Sequence, residues 1–310
     1  MKQLYSGVVL LKKFIALLII VAMTVLFTVF ATIYSASNKL VRIRVVTTTS
    51  LYATGLLEYL ASEFKNVYKN VEFDFIPAGS GEALRRAEMG DACIVFVHAP
   101  QLEEKYISKG VIVNHTIFAY NYFIIAGPPN DPADIRNSRT VFEAFMKIYN
   151  AGEKEMVIFV SRGDNSGTHI KELSIWEAIG LNPHGRAWYR ETGSGMGNTL
   201  IVANELKAYV LSDIGTFLKF KKEGRLPNLV ILYTNDTELI NIYSVYLVAS
   251  CKGVEKEYAA KFIDFIRSKG QELIAKYGVE EYGQQLFMPA YEKIVFLTEI
   301  WERLAKSQRV

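Results

Sequence analysis

The sequence contains few cysteines and histidines, and it has no broad excess of charge of either sign. Two cysteines in 310 residues are too few for a disulfide scaffold or a cysteine-rich zinc site. The four histidines show no H-x-H, H-x-x-H or H-E-x-x-H spacing, so we expect no metal site and no cofactor. The formal charge of +3 comes from three lysines within residues 1–37, and the remaining chain balances 32 basic against 32 acidic residues. Nucleic-acid binding, which needs a broad excess of cations, is therefore not expected.

One long hydrophobic run indicates how the chain meets a membrane. Phe14–Tyr34 is an uncharged run of 21 residues, long enough to cross a hydrocarbon core of about 30 Å. Two lysines precede it, so the positive-inside rule predicts that the chain after about residue 35 lies outside the cytoplasm. The length favours a retained anchor, whereas small residues at 34–37 would also permit cleavage. We expect residues 1–37 to be a signal anchor or signal peptide, with the body on the extracytoplasmic face of the cell membrane, anchored or secreted after cleavage.

Beyond this run, β-branched segments alternate with helical patterns, which is typical of an α/β fold with largely parallel sheets. Arg42–Thr47, Val71–Ile76 and Cys93–Val97 are predicted strands, and apolar residues at helical spacing lie between them. The segments form repeated β-α-β units. The second cysteine, Cys251, falls in the same part of the predicted fold as Cys93, which leaves a disulfide open.

Two longer aromatic and β-branched runs, Phe118–Ala126 and Ile240–Ala249, are predicted strands that cross between two lobes. The segment between them has β-α-β content of its own, so it forms a second lobe inserted into the first. We expect residues 38–122 and 242–310 in the first lobe and residues 123–241 in the second. A cleft between two lobes is a usual place for ligands.

The loop SRGDNSGTH at residues 161–169 follows a predicted buried strand and precedes a predicted helix. Free N–H groups and the positive end of a helix dipole favour an anion at such a point, and arginine adds a planar charged fork. Four residues would converge on one oxyanion: Arg162, Ser166, Gly167 and Thr168. A hydroxyl N-cap and a surface ion pair between Arg162 and Asp164 would explain the same residues.

Further loops follow other predicted strands. Residues 47–50 (TTTS) precede a helix expected near Thr54, and residues 79–81 (GSG) precede another helix. In a doubly wound lobe both turns lie at the carboxyl ends of the strands, where ligands collect. A glycine-rich loop at 191–199 either gives backbone donors or is a flexible turn, and it is not a Walker A loop. These loops add five candidate binding residues: Thr49, Ser50, Ser80, Ser194 and Gly195.

The order of these motifs resembles the tungstate-binding proteins of ABC transporters, a branch of the periplasmic-type solute-binding proteins that includes molybdate and phosphate binders. The similarity runs from about Val45 to Ala249 and is carried by TTTS, GSG, VH at 97–98, SRGDNSGTHIKEL at 161–173 and ETGSGMG at 191–197. It implies a two-lobed, type II periplasmic-binding-protein-like fold with two hinge crossings. It also implies capture of tungstate, or of molybdate, between the lobes and delivery to the permease subunits of an ABC transporter.

In the resemblance, the oxyanion is held from the second lobe by Arg162, Ser166, Gly167 and Thr168, and from the first by Thr49, Ser50 and Ser80. Two alternatives stay open. The phosphate-binding branch has a similar pattern at 162–168, and Asp164 could accept the proton of hydrogen phosphate, although we expect it to orient Arg162. A serine hydrolase would use Ser166 or Ser161 with His169 as base, but the G-x-S-x-G elbow is missing, so we expect a binding protein and no enzyme.

Overall fold

A computed structural model describes residues 17–28 and 40–306. Residues 17–28 form a helix, α1, with exposed side chains. The predicted hydrophobic span Phe14–Tyr34 lies partly outside the described residues. Within the described ranges, no helix is both long enough and apolar enough to cross a membrane.

The first sheet is built on three parallel strands, and a helix follows each of them. The strands are β1 (Val41–Thr48), β2 (Val71–Ala78) and β3 (Ile94–Val97), with β1 in the middle. The helices are α2 (Thr49–Ala53), α3 (Leu56–Val67), α4 (Ser80–Glu88) and α5 (Pro100–Ser108). Apolar residues of α3 at helical spacing pack into the core beneath the sheet.

Two strands connect the first sheet to the second. They are β4 (Ile112–Gly127) and β9 (Ile240–Val248), which pair antiparallel. β4 pairs with β9 as far as Tyr122 and, from Phe123 onward, with β7 (Tyr209–Asp213) of the second sheet. The predicted α/β architecture with long aromatic connecting strands is therefore confirmed.

The second sheet contains parallel strands flanked by helices. Its strands are β5 (Phe159–Ser161), β6 (Tyr189–Glu191), β7 (Tyr209–Asp213) and β8 (Val230–Tyr233), with β5 parallel to β6 and β7. Its helices are α6 (Val141–Gly152), α7 (Gly167–Ala178), α8 (Met196–Leu206) and α9 (Ile214–Lys222). We call each sheet with its helices a lobe; the residue boundaries given above for the lobes stay a prediction.

The chain after β9 returns to the first lobe. It forms α10 (Gly253–Arg267), α11 (Lys269–Lys276), α12 (Val279–Tyr282), β10 (Met288–Pro289) and α13 (Ile294–Lys306). Buried Glu103 of α5 anchors α13 because its Oε2 accepts from Trp301 Nε1 at 2.8 Å. Cys93 and Cys251 form a disulfide with a Cα–Cα distance of 5.0 Å, which decides the pairing that the sequence left open.

The structure differs from the sequence predictions at one loop that matters for the site. The helix expected near Thr54 begins at Thr49, directly after β1. The reason is local: the side chain of Thr48 is the N-cap and accepts from the N–H of Leu51 at 3.4 Å. Thr49 and Ser50 therefore lie in the first turn of a helix and not in a loop.

Candidate functional site

The N-termini of helices from both lobes meet at the carboxyl ends of the parallel strands. A methyl group placed on Gly79, the N-cap of α4, would lie 3.8 Å from the carbonyl oxygen of Asp164 in the loop before α7. A methyl group on Gly81 would lie 3.8 Å from the carbonyl oxygen of Asn165. The GSG loop of the first lobe is therefore in contact with the loop 161–169 of the second, so the cleft is closed here.

The loop 161–169 is held by its own hydrogen bonds. Ser166 is the N-cap of α7, and its Oγ accepts from the N–H of His169 at 3.4 Å. Oδ1 of Asp164 accepts from the N–H of Ser166 at 3.2 Å. Gly163 and Asn165 have φ values of 60° and 59°, in the left-handed region that glycine and asparagine tolerate best. The N-cap that would explain the loop without a ligand is thus present at Ser166.

Arg162 is the central cation of the site and is only 2% exposed. Its Nη2 donates to Asp164 Oδ2 at 2.5 Å, so the pair is buried and does not lie on the surface. The same Nη2 lies 3.4 Å from Thr49 Oγ1, across the cleft. A methyl group on Gly195, the N-cap of α8, would lie 3.7 Å from that hydroxyl oxygen. Arg162 thus brings together three of the predicted loops.

Several buried donors at this place have no partner within the described residues. They are Ser80 Oγ, Thr168 Oγ1 and Arg162 Nε. A buried polar group left without a hydrogen bond costs about 1–3 kcal/mol, and more when it is charged. An oxyanion without a proton offers only acceptors, which are the partners that these groups lack.

Ser50 faces His98, a residue with no predicted role in the site. Its Oγ lies 3.4 Å from Nε2 of His98, whose Nδ1 lies 2.8 Å from Oδ1 of Asn241. Burial lowers the pKa of His98 from 6.5 to about 4, so the ring is neutral near pH 7. His98 follows β3 directly, and this position at a strand's carboxyl end was the signal that could have marked it as part of the site.

Ser194 is the predicted residue that the structure ties least closely to the other loops. Its N–H donates to Thr192 Oγ1 at 3.4 Å, and its carbonyl oxygen accepts from Thr199 Oγ1 at 3.3 Å. Both bonds lie within the glycine-rich segment. Its neighbour Gly195 lies close to Thr49, since a methyl group added there would be 3.7 Å from Thr49 Oγ1.

Asp213, at the end of β7, is a second carboxylate that the sequence analysis missed. It is fully buried, and burial raises its pKa, while nearby Arg162 favours the charged form. Its Oδ1 accepts from the N–H of Thr216 at 2.8 Å and its Oδ2 from the hydroxyl of Thr216 at 2.8 Å. Asp213 is thus engaged as the N-cap of α9.

The arrangement required for a serine nucleophile is not formed by Ser166 and His169. Ser166 Oγ meets the backbone N–H of His169 and not its imidazole. The imidazole Nδ1 instead accepts from the N–H of Asn165 at 3.0 Å. Among the residues that the structure describes, no group of three or more His, Cys, Asp or Glu side chains could hold a metal ion.

Comparison with known proteins places this geometry in a family context. A family model described as a PBP superfamily domain matches residues 35–269. The tungstate-binding protein TupA of Peptoclostridium acidaminophilum is 38% identical over 248 residues, which are 78% of this chain and 84% of that protein.

Two solved structures resemble the chain in fold as well as in sequence. The tungstate ABC transporter structure from Geobacter sulfurreducens aligns with a TM-score of 0.68 at 40% identity and covers 76% of this chain and 98% of its own. The tungstate-binding protein TupA of Desulfovibrio alaskensis G20 aligns with a TM-score of 0.67 at 38% identity and covers 80% of this chain and 98% of its own.

Proposed function

The chain belongs to the PBP superfamily and to the same family as these tungstate-binding proteins. From that premise we propose that it is the extracytoplasmic substrate-binding protein of an ABC transporter, with tungstate as its ligand. Molybdate, a tetrahedral dianion of the same kind, is the second ligand that we expect. The protein captures the oxyanion between its lobes and delivers it to membrane permease subunits. It needs no cofactor and performs no chemical step on the ligand.

In this proposal the second lobe supplies the charge and the helix terminus. Arg162 donates from its guanidinium, while Ser166, Gly167 and Thr168 form the start of α7, where N–H groups and the helix dipole favour an anion. Arginine suits this role because its planar fork can donate two parallel hydrogen bonds to an oxyanion.

The first lobe supplies hydroxyl donors. Ser80 opens α4, whose N-cap Gly79 makes no side-chain cap hydrogen bond, so no side chain of the cap competes with a ligand for the first N–H groups. Thr49 lies within reach of Arg162. Ser50 lies in the same helical turn, and its hydroxyl would exchange its hydrogen bond to the neutral His98 ring for one to the ligand. The glycine-rich loop adds Gly195, and in our proposal Ser194 is a weaker contributor.

The main support for the proposal is that buried donors lack hydrogen-bond partners at a place where the nearby carboxylates already accept hydrogen bonds from the protein. Ser80 Oγ, Thr168 Oγ1 and Arg162 Nε have no partner within the described residues. Asp164 uses Oδ2 for Arg162 and Oδ1 for the N–H of Ser166, and Asp213 is occupied by Thr216. A ligand's proton would therefore have to compete with these donors for Asp164 or Asp213, which favours an oxyanion that is fully deprotonated at neutral pH over hydrogen phosphate.

We further propose that the predicted N-terminal span holds the protein at the membrane as a signal anchor or directs its export as a signal peptide. Residues 17–28 support the proposal because they are helical and their large apolar side chains, such as Leu26 and Phe27, are exposed. A retained anchor would keep the binding protein close to its permease.

Thermal unfolding of the residue 38–310 fragment and of the full chain in detergent tests the proposed ligand. A ligand at about 100 times its dissociation constant stabilises the folded state by roughly 2.7 kcal/mol. We expect tungstate and molybdate at micromolar concentration to raise the melting temperature, and sulfate and phosphate to have little effect. Stabilisation by phosphate alone would assign the chain to the phosphate-binding alternative, and no response to any oxyanion would contradict the proposal.

A further inference from the structure

His98 of the first lobe lies directly against the anion-binding loop of the second. A methyl group placed on Gly167 would lie 2.8 Å from the carbonyl oxygen of His98 and 2.9 Å from Cε1 of its imidazole. Both distances are shorter than carbon atoms tolerate. A methyl group therefore does not fit at Gly167, because the backbone there lies close to both the carbonyl group and the imidazole ring of His98.

The imidazole ring is fixed from its other sides. Asn241 donates from Nδ2 to Asn121 Oδ1 at 3.1 Å and lies 2.7 Å from the hydroxyl of Tyr243, which leaves Asn241 Oδ1 to accept from His98 Nδ1 at 2.8 Å. The ring also stacks on Tyr243, with 5.0 Å between the ring centroids. Asn121 and Asn241 are paired in the two connecting strands, so His98 is braced by the hinge itself.

The ring occupies this place without charge. It is 3% exposed, and burial is the main cause that lowers its pKa to about 4, with nearby Arg162 acting in the same direction. A neutral ring whose Nδ1 is used by Asn241 attracts a dianion only weakly. Its effect on the site is therefore mainly steric.

We propose that His98 is a specificity-determining positioning residue: it is the stop on which Gly167 rests, and it thereby sets how closely the two halves of the anion cradle approach. This inference rests on the proposed function and deepens it. Charge-assisted hydrogen bonds are best near about 2.7 to 2.9 Å. A cradle of fixed width fits tungstate, whose W–O bonds are longer. The same donors lie too far from the oxygens of sulfate, whose S–O bonds are shorter.

Truncation of His98 tests the stop. His98→Ala keeps the contact with the carbonyl oxygen but removes the contact with the ring. The loop can then move into the space of the ring, so we expect the affinity for sulfate relative to tungstate to rise at least tenfold. Gly167→Ala adds a methyl group at the same contact and should hold the lobes apart. We expect the affinity for tungstate to fall at least tenfold and the affinity for sulfate not to rise. Calorimetric titration with tungstate, and competition of tungstate by sulfate, measure both quantities.

Three further variants separate a stop from general damage to the fold. His98→Asn keeps an amide that can donate to Asn241 but removes the outer half of the ring. It should therefore shift the ratio of sulfate to tungstate affinity in the same direction as His98→Ala. His98→Gln restores length and should keep the ratio near that of the wild type. Phe96→Leu destabilises the same strand at a fully buried core position and should leave the ratio unchanged.

The outcomes are distinguishable. Wild-type protein that does not bind tungstate overturns the proposed function. If wild-type protein binds tungstate, but His98→Ala changes the affinities for tungstate and sulfate by the same factor or changes neither, the proposed role of His98 is overturned. The same holds if Phe96→Leu shifts the ratio of the two affinities as much as His98→Ala does. If His98→Ala does not fold, the same comparison is made with His98→Asn.

Discussion

Arg162 Nη2 and Asp164 Oδ2 lie 2.5 Å apart in a pair whose arginine is almost fully buried. Removing one member of such a pair leaves a charge without compensation, so the pair acts as a unit. Asp164 also accepts from the N–H of Ser166, which ties the guanidinium to the start of α7. The pair thus fixes the direction in which Arg162 presents its remaining donors.

Replacing Arg162 by lysine tests this geometry. Lysine keeps the charge but loses the planar fork, and hydrogen bonds to charged groups contribute about 1.5 to 3 kcal/mol, so tungstate should bind at least tenfold more weakly. Titration calorimetry measures the affinity, and the circular dichroism spectrum should not change. Arg190→Lys, at an exposed position of β6, is the matched control. Equal affinity in Arg162→Lys and wild type would remove the guanidinium from the binding site.

A second prediction concerns closure of the lobes. Lys219 of α9 donates from Nζ to the carbonyl oxygen of Ala53, at the end of α2, and so joins the second lobe to the first. Lys219→Met removes this bond, whose net contribution is about 1 kcal/mol, and should weaken tungstate binding roughly fivefold by favouring the open state. The cause should be visible as faster dissociation in stopped-flow experiments.

Lys221→Met is the control for this prediction. Lys221 donates to the carbonyl oxygens of Leu226 and Leu229, all within the second lobe. Lys221→Met should lower the stability of the folded protein without changing its affinity for tungstate. An equal loss of affinity in both variants would mean that the bond from Lys219 has no special part in closure.

A third prediction follows from buried Glu172 on α7. Burial raises the pKa of Glu172 from 4.5 to about 7, although the hydrogen bonds from Tyr189 and Trp176 act to lower the pKa. A raised carboxyl pKa means that the folded state holds the proton more tightly, so the associated stability is present below about pH 4.5 and is lost as the pH rises through about 7. Glu172→Gln does not ionise and keeps an oxygen that accepts from both partners.

The stability of Glu172→Gln relative to wild type should therefore rise between pH 4.5 and pH 8, by the order of 2 to 3 kcal/mol. Urea unfolding at the two pH values measures the difference. Glu177→Gln, exposed on the same helix, should show no such trend. A difference between Glu172→Gln and wild type that is constant with pH would contradict the raised pKa.

The disulfide gives a fourth prediction. Cys93 and Cys251 are separated by 158 residues, so the bridge closes a long loop in the unfolded chain. Such bridges stabilise by about 2–4 kcal/mol, and reduction should lower the melting temperature by roughly 5 to 15 °C. The double variant Cys93→Ser, Cys251→Ser should melt at the lower temperature with or without reductant. An unchanged melting temperature on reduction would show that the bridge adds no stability.

Much of the fold could be predicted from local pattern. The strands β1 and β2 and the helices α3 and α4 are periodic, β3 is a continuous apolar run, and hydroxyl or glycine residues mark the turns between them. The helix α13 was missed although Leu297, Ile300, Trp301 and Leu304 show helical spacing. The pair β7 and α9 was missed as well, because a five-residue strand and a nine-residue helix give little periodic signal.

The site was predictable to the extent that its residues lie in loops after strands. Sequence places Arg162, Ser80 and Thr49 at strand ends, and the structure brings them together. What sequence could not give is a contact between side chains far apart in the chain. His98 and Asn241 are 143 positions apart, and their hydrogen bond depends on how β3 and β9 pair. The size of the cradle depends on that contact, so it could not be read from a list of donors.

In our proposal, a cradle of donors whose carboxylates are engaged within the protein selects an oxyanion that carries no proton. Competitive titration calorimetry at pH 7, with tungstate displaced by phosphate, tests this most directly. The account predicts tight binding of tungstate and displacement only by a large excess of phosphate. Phosphate binding more tightly than tungstate would contradict it, because Asp164 or another acceptor would then have to take the ligand's proton.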